Sequence, residues 1–123
     1  MFEYWQLNEV VEYSSHLKKI STAIQGNVAV ELFHLNRSKR LVIVYWKGLS
    51  VFAAVFVTNP KRITTPQFFF NHYTRIGFIP GRWTKDVIDW YVDVEFLSLP
   101  TVVRVKFTMS SSSVEIMEVS ENA

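Results

Sequence analysis

The segment DVEFLSLPTVVRVKF, residues 93–107, constrains the fold more strongly than any other part of the chain. Charged and apolar residues alternate on both sides of Pro100, and the charged residues are acidic before it and basic after it. The apolar positions are Val92, Val94 and Phe96 before the proline and Val103, Val105 and Phe107 after it. A period of two is typical of strands that have one buried face. The segment therefore predicts a β-hairpin.

Folding the two runs about Pro100 predicts a register for this hairpin. Glu95 then faces Arg104 and Asp93 faces Lys106, while the opposite face is wholly apolar. A slip by one residue would place apolar side chains opposite charged ones. Exposed cross-strand ion pairs stabilise a sheet only weakly, so we interpret the main effect of these charges as favouring one register over the others. On this interpretation the two bases are not candidates for ligand binding.

Three earlier runs are rich in Val, Phe, Tyr and Trp, which favours β-strands. They are NVAVELFHL (27–35), RLVIVYW (40–46) and LSVFAAVFVT (49–58). The intervening NRSK and KG suit tight hairpin loops. The middle run is apolar on both faces, which predicts either that something covers both faces or that one face meets a partner.

Helical periodicity is strongest near the N-terminus. Residues 4–24 predict a helix, with apolar side chains at Leu7, Val10, Val11, Leu17, Ile20 and Ile24 and a stop at Gly26. Residues 66–77, PQFFFNHYTRIG, favour a short helix, although the aromatic triplet fits a strand almost as well. Residues 78–83 predict a turn, Thr84 begins a predicted helical turn, and VEIMEV (114–119) predicts a last strand.

These elements follow the order α-β-β-β-(α)-β-β-(β), which predicts an α+β fold. The N-terminal helix packs on a mostly antiparallel sheet of about five to six strands. The length of 123 residues suits one domain. We place that domain at residues 1–119, followed by a short C-terminal tail at 120–123.

No motif indicates catalysis, a metal or a cofactor. The chain lacks cysteine, and its histidines, His16, His34 and His72, form no metal-binding spacing. Asp86 and Asp89 could form an acid–base pair, but their spacing is more typical of a solvated helical face. The polar, acidic start MFEYWQLNEV does not resemble a signal peptide, and the longest apolar run is too short to span a membrane. We therefore expect a non-enzymatic, soluble, intracellular protein that does not act at a membrane.

The charge distribution is uneven. The 54 residues from Leu32 to Lys85, here called the basic segment, contain nine Lys or Arg and no Asp or Glu. The basic segment carries +9 and the rest of the chain −7. Bases in its predicted loops could neutralise phosphates, and exposed aromatic rings could stack on unpaired nucleobases. The candidate anion-binding residues are Arg37, Lys39, Arg40, Lys61, Arg62, Arg82, Trp83 and Lys85.

Two functions follow from this distribution and from the aromatic content of 15%. The first is a binding protein for an anionic partner, nucleic acid or an acidic protein, with single-stranded nucleic acid as the first candidate. The second is a protein–protein adaptor, inhibitor or assembly factor that forms a homodimer or heteromer through an aromatic sheet face, with Tyr45 and Trp46 as interface candidates. The competing explanation of the charges is that the bases pair with the acids of the terminal segments and the aromatics build the core.

Overall fold

A computed structural model describes residues 6–36, 39–48, 52–58, 67–69, 74–79, 89–97, 99, 101–108 and 113–121. This part of the chain contains one helix and nine strands. They are α1 (Leu7–Ser14), β1 (Lys18–Gln25), β2 (Val28–Asn36), β3 (Lys39–Trp46), β4 (Phe52–Thr58), β5 (Gln67–Phe69), β6 (Thr74–Ile79), β7 (Asp89–Phe96), β8 (Thr101–Thr108) and β9 (Ser113–Glu121).

The strands form two antiparallel sheets rather than the single sheet expected. The first sheet has the order β1-β2-β3-β4-β5 and the second the order β6-β7-β8-β9. The coarse prediction of a helix on antiparallel strands is confirmed, whereas the predicted number and arrangement of strands were wrong. Two sheets form because the alternating strands of the second sheet also have an apolar face, which needs a cover.

The main core lies between the two sheets. It contains alternate residues of β2, β3, β7, β8 and β9, so the inner faces of both sheets meet there. Its buried members are Val28, Val30, Leu32, Val42, Val44, Val92, Val94, Phe96, Val103, Val105 and Val114. Removing this apolar surface from water is the main favourable contribution to the stability of the two layers.

Helix α1 covers part of the outer face of the first sheet. Val10 is fully buried there, in a cluster with Phe33, Leu41 and Ile43. These sheet residues alternate with the inner-face residues of β2 and β3. Both faces of the doubly apolar strand are thus covered within the chain, one by the second sheet and the other by α1.

The N-terminal helix is shorter than predicted, because residues 18–25 form strand β1. The backbone N–H groups of Ser15, His16 and Leu17 each donate to the carbonyl three residues earlier, which tightens and ends the helix. Ile20 and Ile24 lie four residues apart, a spacing that imitates a helical stripe. Pairing with β2 instead places these β-branched residues in a strand, and Gly26, at φ 59°, lies in the turn that follows.

The predicted helix over residues 66–77 was wrong. Strands β5 and β6 take up Gln67–Phe69 and Thr74–Ile79, as the aromatic and β-branched content of the segment allowed. The predicted turn at 78–83 begins within β6, and its residues 80–83 lie outside the described residues. The same holds for the predicted helical turn at Thr84, and β7 begins at Asp89.

The register of the β7–β8 hairpin is shifted by two residues from the prediction. Asp93 pairs with Arg104, Glu95 lies opposite Val102, and Phe96 pairs with Thr101. A shift of two leaves every side chain on its predicted face, so the alternation cannot distinguish the two registers. The turn decides between them: the Leu99 N–H donates to the Phe96 carbonyl at 3.2 Å, next to the last strand pair, Phe96 and Thr101.

The last predicted strand is confirmed as β9. It runs to Glu121 and so includes the first two residues of the predicted tail. Its pairing with β8 is interrupted by a bulge, because Arg104 pairs with Glu118 and Val105 pairs with Ile116. The bulge leaves Met117 opposite no residue, and its side chain is 46% exposed.

Candidate functional site

The basic segment begins within β2 and contains β3, β4, β5 and β6. Two of its eight candidate anion-binding residues, Lys39 and Arg40, belong to the described part of the chain, and both are half-buried at the start of β3. The other six lie outside the described residues: Arg37, Lys61, Arg62, Arg82, Trp83 and Lys85. The β2–β3 hairpin therefore carries the described part of the candidate site.

The end of this hairpin is shaped by a short connection and a bulge. Asn36 pairs with Lys39, so two residues connect the strands, and the register shifts between His34 and Asn36. The Arg40 guanidinium turns back over this end: its Nη1 donates to the Asn36 carbonyl at 2.6 Å and to the Lys39 carbonyl at 2.9 Å. Arg40 thus bonds to the backbone of both residues in the last hairpin pair.

Two ion pairs among the described residues each join an acid and a base that both lie outside the basic segment. Arg104 holds Asp93 through two hydrogen bonds, Nε to Oδ1 at 2.8 Å and Nη2 to Oδ2 at 2.9 Å. Lys19 holds Glu31, Nζ to Oε2 at 2.8 Å. Hydrogen bonding to these carboxylates raises the pKa of Arg104 and of Lys19. These acids are therefore engaged by terminal bases rather than by bases of the basic segment.

On the outer face of the second sheet, further acids and bases lie opposite each other on neighbouring strands. Lys106 of β8 lies opposite Glu115 of β9, and Arg104 lies opposite Glu118. Arg75 of the basic segment lies opposite Glu95 across β6 and β7. The competing explanation, in which terminal acids neutralise the basic segment, therefore has support at Arg75.

The two interface candidates of β3 point to opposite faces of the first sheet. Trp46 packs on the inter-sheet core, where its ring meets Phe96 edge to face at a centroid distance of 5.9 Å. Tyr45 packs on the cluster under α1, and burial raises the pKa of its hydroxyl, as does a hydrogen bond with Glu31. Both side chains are half-buried, so their aromatic surface is used largely within the chain.

The contact of Glu31 with Lys19 and Tyr45 was missed by the sequence interpretation. Glu31 is the one acid within the otherwise apolar run VAVELF, and a lone charge at a strand position is a signal that it has a partner. Because Lys19 was predicted to lie in a helix, its position on a strand next to Glu31 of β2 was not recognised. The contact links β1, β2 and β3 on the outer face of the first sheet.

The described residues contain no candidate metal centre. His16 and His34 are exposed, and no group of three or more His, Asp or Glu there could hold a metal ion. His72 and Asp86 lie outside the described residues, and Asp89 begins strand β7. Among the described helical residues, none belongs to a helix that could cross a bilayer.

Comparison with protein-family models, with curated proteins and with solved structures finds no match to this chain.

Proposed function

We propose that this chain is a small non-enzymatic binding protein whose basic segment engages an anionic partner, with single-stranded nucleic acid as the first candidate. The segment supplies nine cationic side chains and many aromatic ones in one continuous stretch. Cations release counterions when they neutralise phosphates, and aromatic rings stack on bases without sequence preference. In this proposal Lys39 and other candidate bases of the basic segment contact phosphates, and Trp83 stacks on a base.

The observation that carries the proposal is the segregation of charge. Residues 32–85 lack any acid, and Asp93 and Glu31 are held by Arg104 and Lys19, which belong to the acidic remainder of the chain. Each such pair uses an acid that could otherwise have neutralised the basic segment. Two of the 11 acids are thus held by other bases, and a continuous stretch that carries +9 attracts polyanions.

The adaptor alternative loses its main sequence argument. It depended on an apolar face of β3 that required a partner, and that face is covered by α1 through Val10. Tyr45 and Trp46 remain half-exposed and could contribute only part of their surface to an interface. Binding measured over a series of salt concentrations separates the two functions. A hydrophobic interface persists at high salt, whereas phosphate binding weakens.

The test is binding of a fluorescein-labelled oligothymidine of about 20 nucleotides, followed by anisotropy over a series of salt concentrations. Two single charge reversals form a matched pair, because Lys39 is the first residue of β3 and Lys18 is the first residue of β1. Lys39→Glu should weaken binding severalfold, whereas Lys18→Glu, outside the basic segment, should have little effect. Reversing Arg37, Lys39 and Arg40 together should weaken binding further.

The salt dependence provides the second readout. Each phosphate contact on a single strand contributes about −0.7 to the slope of log K against log salt. Wild-type protein that fails to bind at low salt, or whose binding is insensitive to salt, would contradict the proposal. Equal effects of Lys18→Glu and Lys39→Glu would show that oligonucleotide binding depends on the net charge of the protein and not on the basic segment.

A further inference from the structure

The Arg40 guanidinium is hydrogen-bonded to the main chain. It is the second residue of β3, and alternation places it on the inner face with Val42 and Val44. Its Nε is buried, and its Nη1 donates to the carbonyls of Asn36 and Lys39. Lys39 lies on the opposite face of the same strand, the side of Leu41 and Ile43.

The connection of this hairpin lacks the residues that two-residue loops favour. Two-residue loops favour Asn, Asp or Gly at the central positions, and the two residues between Asn36 and Lys39 are Arg and Ser. The bulge next to Asn36 also interrupts the ladder of backbone hydrogen bonds. A charged donor that bonds both carbonyls of the closing pair compensates for both weaknesses, because charge-assisted hydrogen bonds are stronger than neutral ones.

We propose that Arg40 is a positioning residue, which closes the β2–β3 hairpin and thereby presents Lys39 to the anionic partner, and that its own guanidinium does not bind that partner. This inference depends on the proposed function and assigns different roles to two adjacent bases of the same site. It differs from the expectation that Arg40 itself binds the anionic partner. Arg and Lys are not interchangeable here, because only the guanidinium presents a fixed planar array of donors.

The test compares Arg40→Lys, which keeps the charge, with Arg40→Gln, which removes it. Both variants should lose the hairpin closure, so both should bind oligothymidine about fivefold to tenfold more weakly than wild type, with equal salt slopes. If Arg40 instead contacts a phosphate, Arg40→Lys should bind nearly as well as wild type. The slope of Arg40→Gln would then be smaller in magnitude by about 0.7. That result would overturn the proposal.

Amide hydrogen exchange in the free protein tests the hairpin closure independently of any partner. Amides of residues 34–36 and 39–41 should exchange about tenfold faster in Arg40→Lys than in wild type, while Lys39→Gln should leave them unchanged. Unchanged exchange in Arg40→Lys would overturn the positioning role. Faster exchange in a protein whose wild type binds no oligonucleotide would support the closure and overturn the proposed function, so the two failures are distinguishable. Lys18→Gln is the control for loss of one exposed charge.

Discussion

The two sheets contribute their inner faces to one core, but their outer faces differ in chemistry and in what lies on them. The outer face of the first sheet is apolar at Phe33, Leu41 and Ile43, and α1 covers it. The outer face of the second sheet carries Asp93 and Arg104, whose side chains remain 27% and 44% exposed and pair with each other. An apolar outer face needs a covering element, whereas a charged one can remain in water and contribute to register.

The largest expected effect tests the shared core. Phe96 is fully buried and meets Trp46 edge to face, so Phe96→Ala should lower the free energy of unfolding by about 3–5 kcal/mol. Urea denaturation followed by tryptophan fluorescence measures this. The neighbouring Leu97 is 37% exposed, and Leu97→Ala should cost less than about 0.5 kcal/mol. Equal costs would mean that the sheets do not pack as described.

The next effect tests the cover on the first sheet. Val10 of α1 is fully buried against the first sheet, so Val10→Ala should lower the free energy of unfolding by about 1–3 kcal/mol, through lost contacts and a small cavity. Glu12→Ala, at an exposed position of the same helix, is the control. If the two variants were equally stable, α1 would not be packed on the sheet in solution.

A smaller effect concerns alkaline pH on the same outer face. Burial and the hydrogen bond with Glu31 raise the pKa of Tyr45 above its ordinary value of 10.0. The folded state therefore holds this proton more tightly than the unfolded state. The resulting stability is complete below the unfolded pKa and is lost as pH rises through the folded pKa. The raised pKa of Lys19 acts in the same direction.

Tyr45→Phe removes one of these two titrations, so its urea midpoint should fall less steeply than that of wild type above about pH 10. Identical pH profiles for the two proteins would contradict the raised pKa. Glu31→Gln, which removes the charged acceptor, should lower the pKa of Tyr45 toward its ordinary value without removing the contribution of burial.

The smallest expected effect tests the charged outer face of the second sheet. Arg104→Asp places two acids opposite each other and should lower the urea midpoint slightly. Adding Asp93→Arg should restore part of the loss, because the pair is then reversed but intact, while the acid introduced at position 104 still lies opposite Glu118. The predicted register, in which Glu95 faces Arg104, would instead make Glu95→Arg the restoring change. The observed register excludes that rescue, and the double variants decide between the two.

Strand positions were largely predictable because they depend on local composition and alternation. The runs that form β2, β3 and β4 were recognised from β-branched and aromatic residues, and β7, β8 and β9 from alternation. Strand β1 was not, because a four-residue spacing of isoleucines satisfies a helix as well as a bulged strand. Pairing with β2 decides that this segment forms a strand, and no local sequence pattern identifies that pairing.

The candidate site was predictable as a region but not residue by residue. The absence of acids from residues 32–85 is visible in the sequence, whereas the different roles that we propose for Lys39 and Arg40 are not. The proposed difference in role depends on hydrogen bonds from Arg40 to the backbone carbonyls of Asn36 and Lys39. Every residue carries such an acceptor, and only the folded hairpin brings these two within reach of one guanidinium.

The sequence by itself determined which side chains share a face, because strand alternation has a period of two whatever the partner. It therefore specified an apolar face and a charged face for β7 and β8, and two apolar faces for β3. Only the tertiary structure decided the register, the division into two sheets and the covering of β3 by α1. These depend on turn geometry and on contacts between distant segments, and alternative arrangements can bury the same faces equally well.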